Sequence, residues 1–287
     1  MSILGHAVCE LGEGPTYEAA TDTLWWFDIV ACRLHEYRFS DARERMHALP
    51  MMASALAVVD ADRHVLATEH GLFLRDVASG SLDLLAPIEA DNPATRSNDA
   101  RVHPCGAFWI GTMGKAAEAG AGAIYWYRAG ELRRLFGDIT ITNSICFSPG
   151  GDIAWFADTR RNIVWRVACD PLTGLPVGEP SVFVDRTGES AGMDGSVCDA
   201  EGVVWNARWG AGMVDAYDGG GRLLRSLPIP ARQVSCPVFV GADASRMAVT
   251  SAWQGLDEAA LREDRHAGRT FLLNLPMRGR LDPLIAL

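Results

Sequence analysis

The 287-residue sequence predicts an all-β fold: a six-bladed propeller of four-stranded antiparallel blades around a central channel. Three observations carry that prediction. A polar residue opens a short apolar run at Glu13 (EGPTYE), Asn98 (NDARVH), Asn143 (NSICFS) and Asp194 (DGSVCD). A turn and then an aromatic-rich segment follow each run: TLWWFD, AFWIGT, IAWFAD and VVWNAR. Two further units, entered at Ala55 and Cys236, share the register, and a spacing of roughly 40–50 residues is that of a radial β-repeat.

The elements follow in order from the turn chemistry. DADR at Asp60, HPCG at His103, SPGG at Ser148, DAEG at Asp199 and ADAS at Ala242 each join two apolar strands, as hairpin turns do. A third strand comes after each aromatic one: RLHEYRF, GLFLRDV, AIYWYRA, NIVWRVA, MVDAYDG and TFLLNLP. Second turns, such as ASGS, PLTG and DGGG, lead into a more polar fourth strand, for example LDLLAP or PSVFVD. The first strand of each unit is expected at the axis and the fourth at the rim. The last unit lacks a fourth strand of its own, and residues Ile3 to Cys9 are expected to supply it, closing the ring. Leu256 to Asp264 is the best helical segment, short and polar.

The repeat fills most of the chain, so residues 1–287 read as one propeller domain. A net charge of −10 with no basic stripe argues against a nucleic-acid partner. No apolar stretch reaches the ~18 residues of a membrane span, and no obligate protein partner is evident. Seven cysteines without a CxxC pair, several inside apolar strands, fit a reducing compartment. The first residues, MSILGHAVCELGEG, carry no basic n-region. The expectation is a cytoplasmic protein.

Equivalent positions in propeller blades point at one axis. Glu13, Asn98, Asn143 and Asp194 would then meet there, two carboxylates and two carboxamides making an oxygen-rich site for a hard divalent cation. Trp25, Trp26, Trp109, Trp155 and Trp205 stand at core-strand positions and read as packing, whereas Trp209 and Trp253 fall near the channel rim. Cys236 occupies the sixth unit's axial place, and Asp99 is placed to orient its neighbours. His70 and His103 read as turn or rim residues.

LGEGP at 11–15, TRSND at 95–99 with WIGTM at 109–113, ITNS at 141–144 and MDGSVCDAEGVVW at 193–205 resemble the SMP-30/gluconolactonase/regucalcin-like family, in its order and spacing. The resemblance covers roughly residues 10 to 255 and implies a six-bladed propeller with one divalent metal in the axial channel. It implies Glu13, Asn143 and Asp194 as metal ligands, Arg96 and Asn98 as substrate contacts, and Asp194 as general base. Glu118, in the short segment GTMGKAAEAGAGAIYW, aligns loosely with a further substrate-contacting acid. Ca²⁺ is the first choice of ion, with Zn²⁺, Mg²⁺, Mn²⁺ and Fe²⁺ also compatible with such a donor set. The expected activity is hydrolysis of a sugar-derived lactone of the aldonolactone type. The competing reading is a Ca²⁺-binding regulatory protein using the same ligands. A WD40-type interaction propeller would carry GH and WD signatures in each repeat, and neither recurs here.

Overall fold

Burial falls steadily from the inside of each blade to the outside. In blade one the strand Gly12–Glu18 is buried throughout, as is Thr23–Asp28, while Arg43–Ala48 is mostly exposed. The same gradient recurs in the computed structural model, which describes residues 1–287, across six four-stranded antiparallel sheets. Their inner strands are Gly12–Glu18, Ala53–Val58, Thr95–Val102, Thr142–Phe147, Gly192–Cys198 and Val234–Val240. Each packs against the inner strands of the two neighbouring blades, so the sheets form a closed ring around an axis. The six-bladed propeller expected from the repeat is the observed fold.

The core lies between blades rather than inside them. Trp25, Phe27, Leu56 and Leu66 fill the seam between blades one and two. Trp109 and Trp126 meet Phe147 and Phe156 between blades three and four, and Trp205 meets Phe239 and Phe271 between blades five and six. Trp25, Trp26, Trp109, Trp155 and Trp205 are all buried, as core packing requires. A flat aromatic side chain suits a seam between two sheets because it buries much area at little thickness.

Ring closure uses the start of the chain, though over a shorter stretch than the sequence predicts. Ser2–Leu4 pairs antiparallel with Thr270–Leu273, as the outermost strand of blade six, whereas His6 to Glu10 runs on without strand pairing. The short helix is Glu258–Glu263, its N-terminus capped by Asp257, whose Oδ1 accepts from the Ala260 amide at 2.8 Å. No helix is long and apolar enough to cross a membrane.

The segment after the last strand runs across one face of the ring. The Met277 amide donates to the Ser245 carbonyl and the Ala200 amide to the Arg278 carbonyl. Arg280 reaches the Phe147 carbonyl at 2.8 Å, Asp282 pairs with Arg101 at 2.7 Å, and the Ile285 amide reaches the Val58 carbonyl at 3.0 Å. This strap therefore ties blades six, five, four, three and two in succession. His103, read as a turn or rim residue, is fully buried on the same side. Its Nε2 donates to the Gly151 carbonyl at 2.8 Å, and its ring packs edge-on against Phe147.

Leu4 is buried against Tyr17, Leu24, Trp26, Val240 and Leu272 and holds the closing strand to blade one. Leu4→Ala will lower unfolding free energy by about 2–5 kcal/mol, the usual cost of emptying a buried leucine site, measured as a shifted urea midpoint at unchanged slope.

Candidate functional site

Every inner strand carries one extra residue relative to its neighbour. The pairing slips between Glu13 and Thr16, Ala53 and Ala55, Ser97 and Ala100, Asn143 and Cys146, Met193 and Ser196, and Val234 and Pro237. A bulge of this kind re-aims side chains that a regular pleat would send into the sheet's faces. It also corrects the single register read from the sequence. Glu13 and Asn143 are the last paired residues before the bulge, opposite Phe27 and Ala157. In blades three and five that paired place belongs to Ser97 and Met193, so Asn98 and Asp194 stand one residue further on. The extra residue lets two successive positions serve the same channel.

The approach to the site is fixed by carboxylates at the ends of the second strands. Asp28 accepts from the amides of Glu10 and Leu11 at 2.9 and 3.1 Å, and Asp158 from those of Thr140 and Ile141 at 3.0 and 3.2 Å. In both blades the tied amide lies two residues before the polar one, Glu13 or Asn143. Gly14, with φ of +54°, follows Glu13, and a Cβ there would strike the Ser54 carbonyl. Only glycine takes both that dihedral and that contact without strain.

Glu13, Arg96, Asn98, Asn143 and Asp194 come together around one cavity of about 200 Å³ at a mouth of the channel. All of them are buried. The Arg96 Nη1 donates to Asn98 Oδ1 at 2.7 Å, which leaves the Asn98 Nδ2 to donate to the Thr142 carbonyl at 2.8 Å and to Asn143 Oδ1 at 3.3 Å. The Asn143 Nδ2 donates to Thr159 Oγ1 at 2.8 Å, and that hydroxyl donates to the Met193 carbonyl at 2.7 Å. These bonds assign the Asn143 amide so that its oxygen is the atom free to act as a donor to a cation. The Asp194 carbonyl is held by the Asn206 Nδ2 at 2.7 Å and the Ser144 hydroxyl at 2.5 Å.

Three sequence expectations meet a different outcome here. Glu118 does not line the cavity; it is exposed, and its Oε2 accepts from the Ala116 amide at 3.1 Å within its own loop. Cys236 is buried against Gly195, where a Cβ would collide with its Sγ, and does not line the cavity either. Of the two rim tryptophans Trp209 lines the cavity and Trp253 does not. Thr159 and Gln254 also line it. Neither carries a sequence signal, because each lies outside the inner strands that the repeat makes visible. A second cavity, about 170 Å³, lies at the other end of the channel beneath Leu281 to Leu284. Its wall is mainly apolar and includes none of the five converging residues.

The electrostatics single out the first mouth. Burial, then the charge of Asp99, pushes the Glu13 carboxyl up from its ordinary value to about 8. Burial, then Glu13 and Asp99, raises Asp194 well above the usual carboxylate range. Burial also raises Asp99 to about 6 and lowers Arg96 to about 10. Asp99 accepts from the Ile145 amide at 2.6 Å, and below it Arg101 pairs with Asp282. Along the axis the carboxyls of Glu13, Asp99, Asp194 and Asp282 face the guanidiniums of Arg96 and Arg101, an excess of two negative charges once all four are ionised, which, added to burial, is why Glu13 and Asp194 hold their protons so strongly. No three His, Cys, Asp or Glu side chains gather as a metal cluster, so the Asn143 amide oxygen is needed beside Glu13 and Asp194. Two carboxylates and a carboxamide, buried with surplus negative charge, fit a hard divalent ion.

The chain belongs to the SMP-30/gluconolactonase/LRE-like family, whose sequence model matches residues 11–253. A relative from Rhizobium meliloti (strain 1021), provisionally named a sugar lactone lactonase, is 49% identical and spans 99% of this chain and 96% of its own. The L-arabinolactonase of Azospirillum brasilense is 33% identical over 91% of this chain and 87% of its own. A crystal structure described as the calcium-binding protein regucalcin, from Agrobacterium tumefaciens strain C58, superposes with a TM-score of 0.98. It is 50% identical and covers 99% of this chain and 97% of that one.

A carboxyl raised by burial favours the folded state while it is protonated. For Glu13 that contribution is present below the unfolded value, near 4.5, and is lost as pH climbs through about 8. Asp194 acts in the same direction. Metal-free wild type will therefore lose thermal stability relative to metal-free Glu13→Gln between pH 5 and pH 9. The comparison is read by melting temperature at each pH.

Proposed function

We propose that this protein hydrolyses a sugar-derived lactone of the aldonolactone type with the help of one divalent ion, Ca²⁺ as first choice, held by Glu13, Asn143 and Asp194. The observation that carries the reading is the convergence of two raised, buried carboxylates with a buried arginine at one channel mouth. The names of the lactonase relatives support the reaction class. The seven free cysteines fit the reducing cytoplasm proposed as its compartment.

Opening a cyclic ester requires a polarised carbonyl, an activated water and a stabilised oxyanion. A divalent ion held by Glu13, Asn143 and Asp194 would supply Lewis-acid polarisation and lower the pKa of water. Asp194 takes the proton as water oxygen bonds to the carbonyl carbon, and returns it to the ring oxygen when the carbon–oxygen bond breaks, giving the hydroxy acid. Arg96 is anchored through Nη1 to the Ser97 carbonyl at 2.8 Å and to Asn98, which aims its remaining N–H groups at substrate oxygens. The Trp209 indole, Met113, Ile141 and Leu11 form the less polar wall, excluding bulk water from the reacting bond.

A calcium-binding role without turnover is the second reading, favoured by the description of the 50%-identical structure. A lactone panel assayed with EDTA and metal add-back separates the two. Lactonase activity that EDTA abolishes and a divalent ion restores supports the first; tight Ca²⁺ binding with no turnover on any lactone supports the second.

Two substitutions divide the roles. Asp194→Asn keeps an oxygen donor but loses the base, so at saturating metal kcat will fall about 10²–10⁴-fold, while metal content by atomic emission stays near wild type. Full kcat in the variant would remove Asp194 from proton transfer. Arg96→Ala will raise KM and lower kcat/KM with metal content retained. Parallel loss of metal would make Arg96 a structural residue.

A further inference from the structure

The axial cavity adjoins a wider cleft. The two share Ile141, Thr159 and Trp209, and the cleft, about 650 Å³, opens between blades four and five. The axial cavity alone, about 200 Å³, is smaller than the roughly 300–1,000 Å³ of most small-molecule sites. A substrate whose ring reacts at the axis would extend into the cleft.

The cleft's charged side chains are Arg160, Arg161 and Glu189, and two of them are committed elsewhere. Glu189 is held by Arg186 at 3.0 Å and Arg208 at 2.7 Å. Arg161 lies 3.5 Å from the Asp158 carboxylate and donates to the Asp138 carbonyl at 3.1 Å. The Arg160 guanidinium makes no hydrogen bond or ion pair within the protein: only its backbone amide is engaged, by Asp158 at 3.0 Å. The side chain is exposed, but the backbone that carries it is fixed. Asp158 ties the amides of Thr140 and Ile141 as well, and the preceding residue, Thr159, is bonded to Asn143 and Met193. Arg160 is thus one peptide away from a side chain that touches the candidate site. Thr187 and Ser190 leave the rest of the wall neutral and polar. In a chain of net charge −10, a guanidinium free of partners beside an acidic site offers a local binding point for an anion.

We propose that the substrate lactone carries a second, anionic group distal to the ring ester, and that Arg160 binds it in the cleft between blades four and five. This rests on the lactonase reading and adds the substrate's charge to it. The shared chemistry is a terminal oxyanion, from a carboxylate or a phosphate.

The test compares kcat/KM for glucono-1,5-lactone, which is neutral, with glucaro-1,4-lactone and 6-phosphoglucono-1,5-lactone, in metal-replete wild type, Arg160→Ala and Arg160→Lys. Spontaneous opening is subtracted. The expected result is a preference for one anionic lactone over the neutral one that falls at least tenfold in Arg160→Ala, through KM, and is partly kept in Arg160→Lys. Whichever anionic lactone shows it identifies the oxyanion. Calorimetric titration with the corresponding ring-opened acid gives a readout independent of turnover, with weaker binding in Arg160→Ala. Equal ratios in wild type and Arg160→Ala, or a preference for the neutral lactone, overturn the proposal while leaving the lactonase reading intact. No turnover of any lactone, with unaltered anion binding in the variant, overturns both.

Discussion

Uncompensated negative charge at the axis is the constraint around which this molecule is arranged. Glu13, Asp99 and Asp194 are buried within one channel, where each disfavours ionisation of the others. A chain left to minimise its own energy would spread such groups apart or expose them. Here the closed ring prevents both, because each carboxylate sits on an inner strand clamped between two neighbouring blades. The interblade aromatic seams and the strap from Met277 to Ile285 thereby keep the donors in place against their mutual repulsion. Rigidity bought in this way pre-organises the axial cavity, because its polar groups hold their positions before any ligand arrives.

The bulges are the local counterpart of that global restraint. A regular inner strand presents alternate residues to the two adjoining seams, leaving nothing polar for the axis. One extra residue per inner strand breaks the alternation just where Glu13, Asn98, Asn143 and Asp194 stand. The same irregularity in blades two and six carries Ser54 and Ser235, which serve structure instead: Ser54 donates to Ser97 and Ser235 to the Gly12 carbonyl. One backbone device therefore yields either a functional or a structural residue, depending on the side chain placed in it.

Much of this was legible in the sequence because a propeller repeats. The aromatic second strands and the turn residues recur often enough to count blades, the polar openings named four of the residues now seen around the cavity, and the family resemblance added Arg96. What escaped has a physical reason in each case. The one-residue offset of Asn98 and Asp194 depends on pairing partners, which the inner-strand sequence does not contain. Thr159 and Gln254 lie just outside the strands, where no period operates. Arg101 and Asp282 lie far apart in sequence and meet only because the strap crosses the axis; an arginine inside the buried run NDARVH was the one available sign. Glu118 failed for the converse reason, since a loop acid has no repeat to fix where it points.

Pairing of Ser2 with Leu272 and of Leu4 with Thr270 joins the beginning of the chain to its last strand. During synthesis Ser2–Leu4 leaves the ribosome well over two hundred residues before its partner, Thr270–Leu272. Blades one to five can therefore assemble as an open arc with an unpaired edge at each end, and cooperative stability arrives late, when one long-range contact turns the arc into a ring. The axial donors share that timing. Glu13 and Asp194 are brought into final opposition only when the sixth sheet fills the gap between their blades, so the axial cavity and the circle are completed in a single event in the life of the nascent protein.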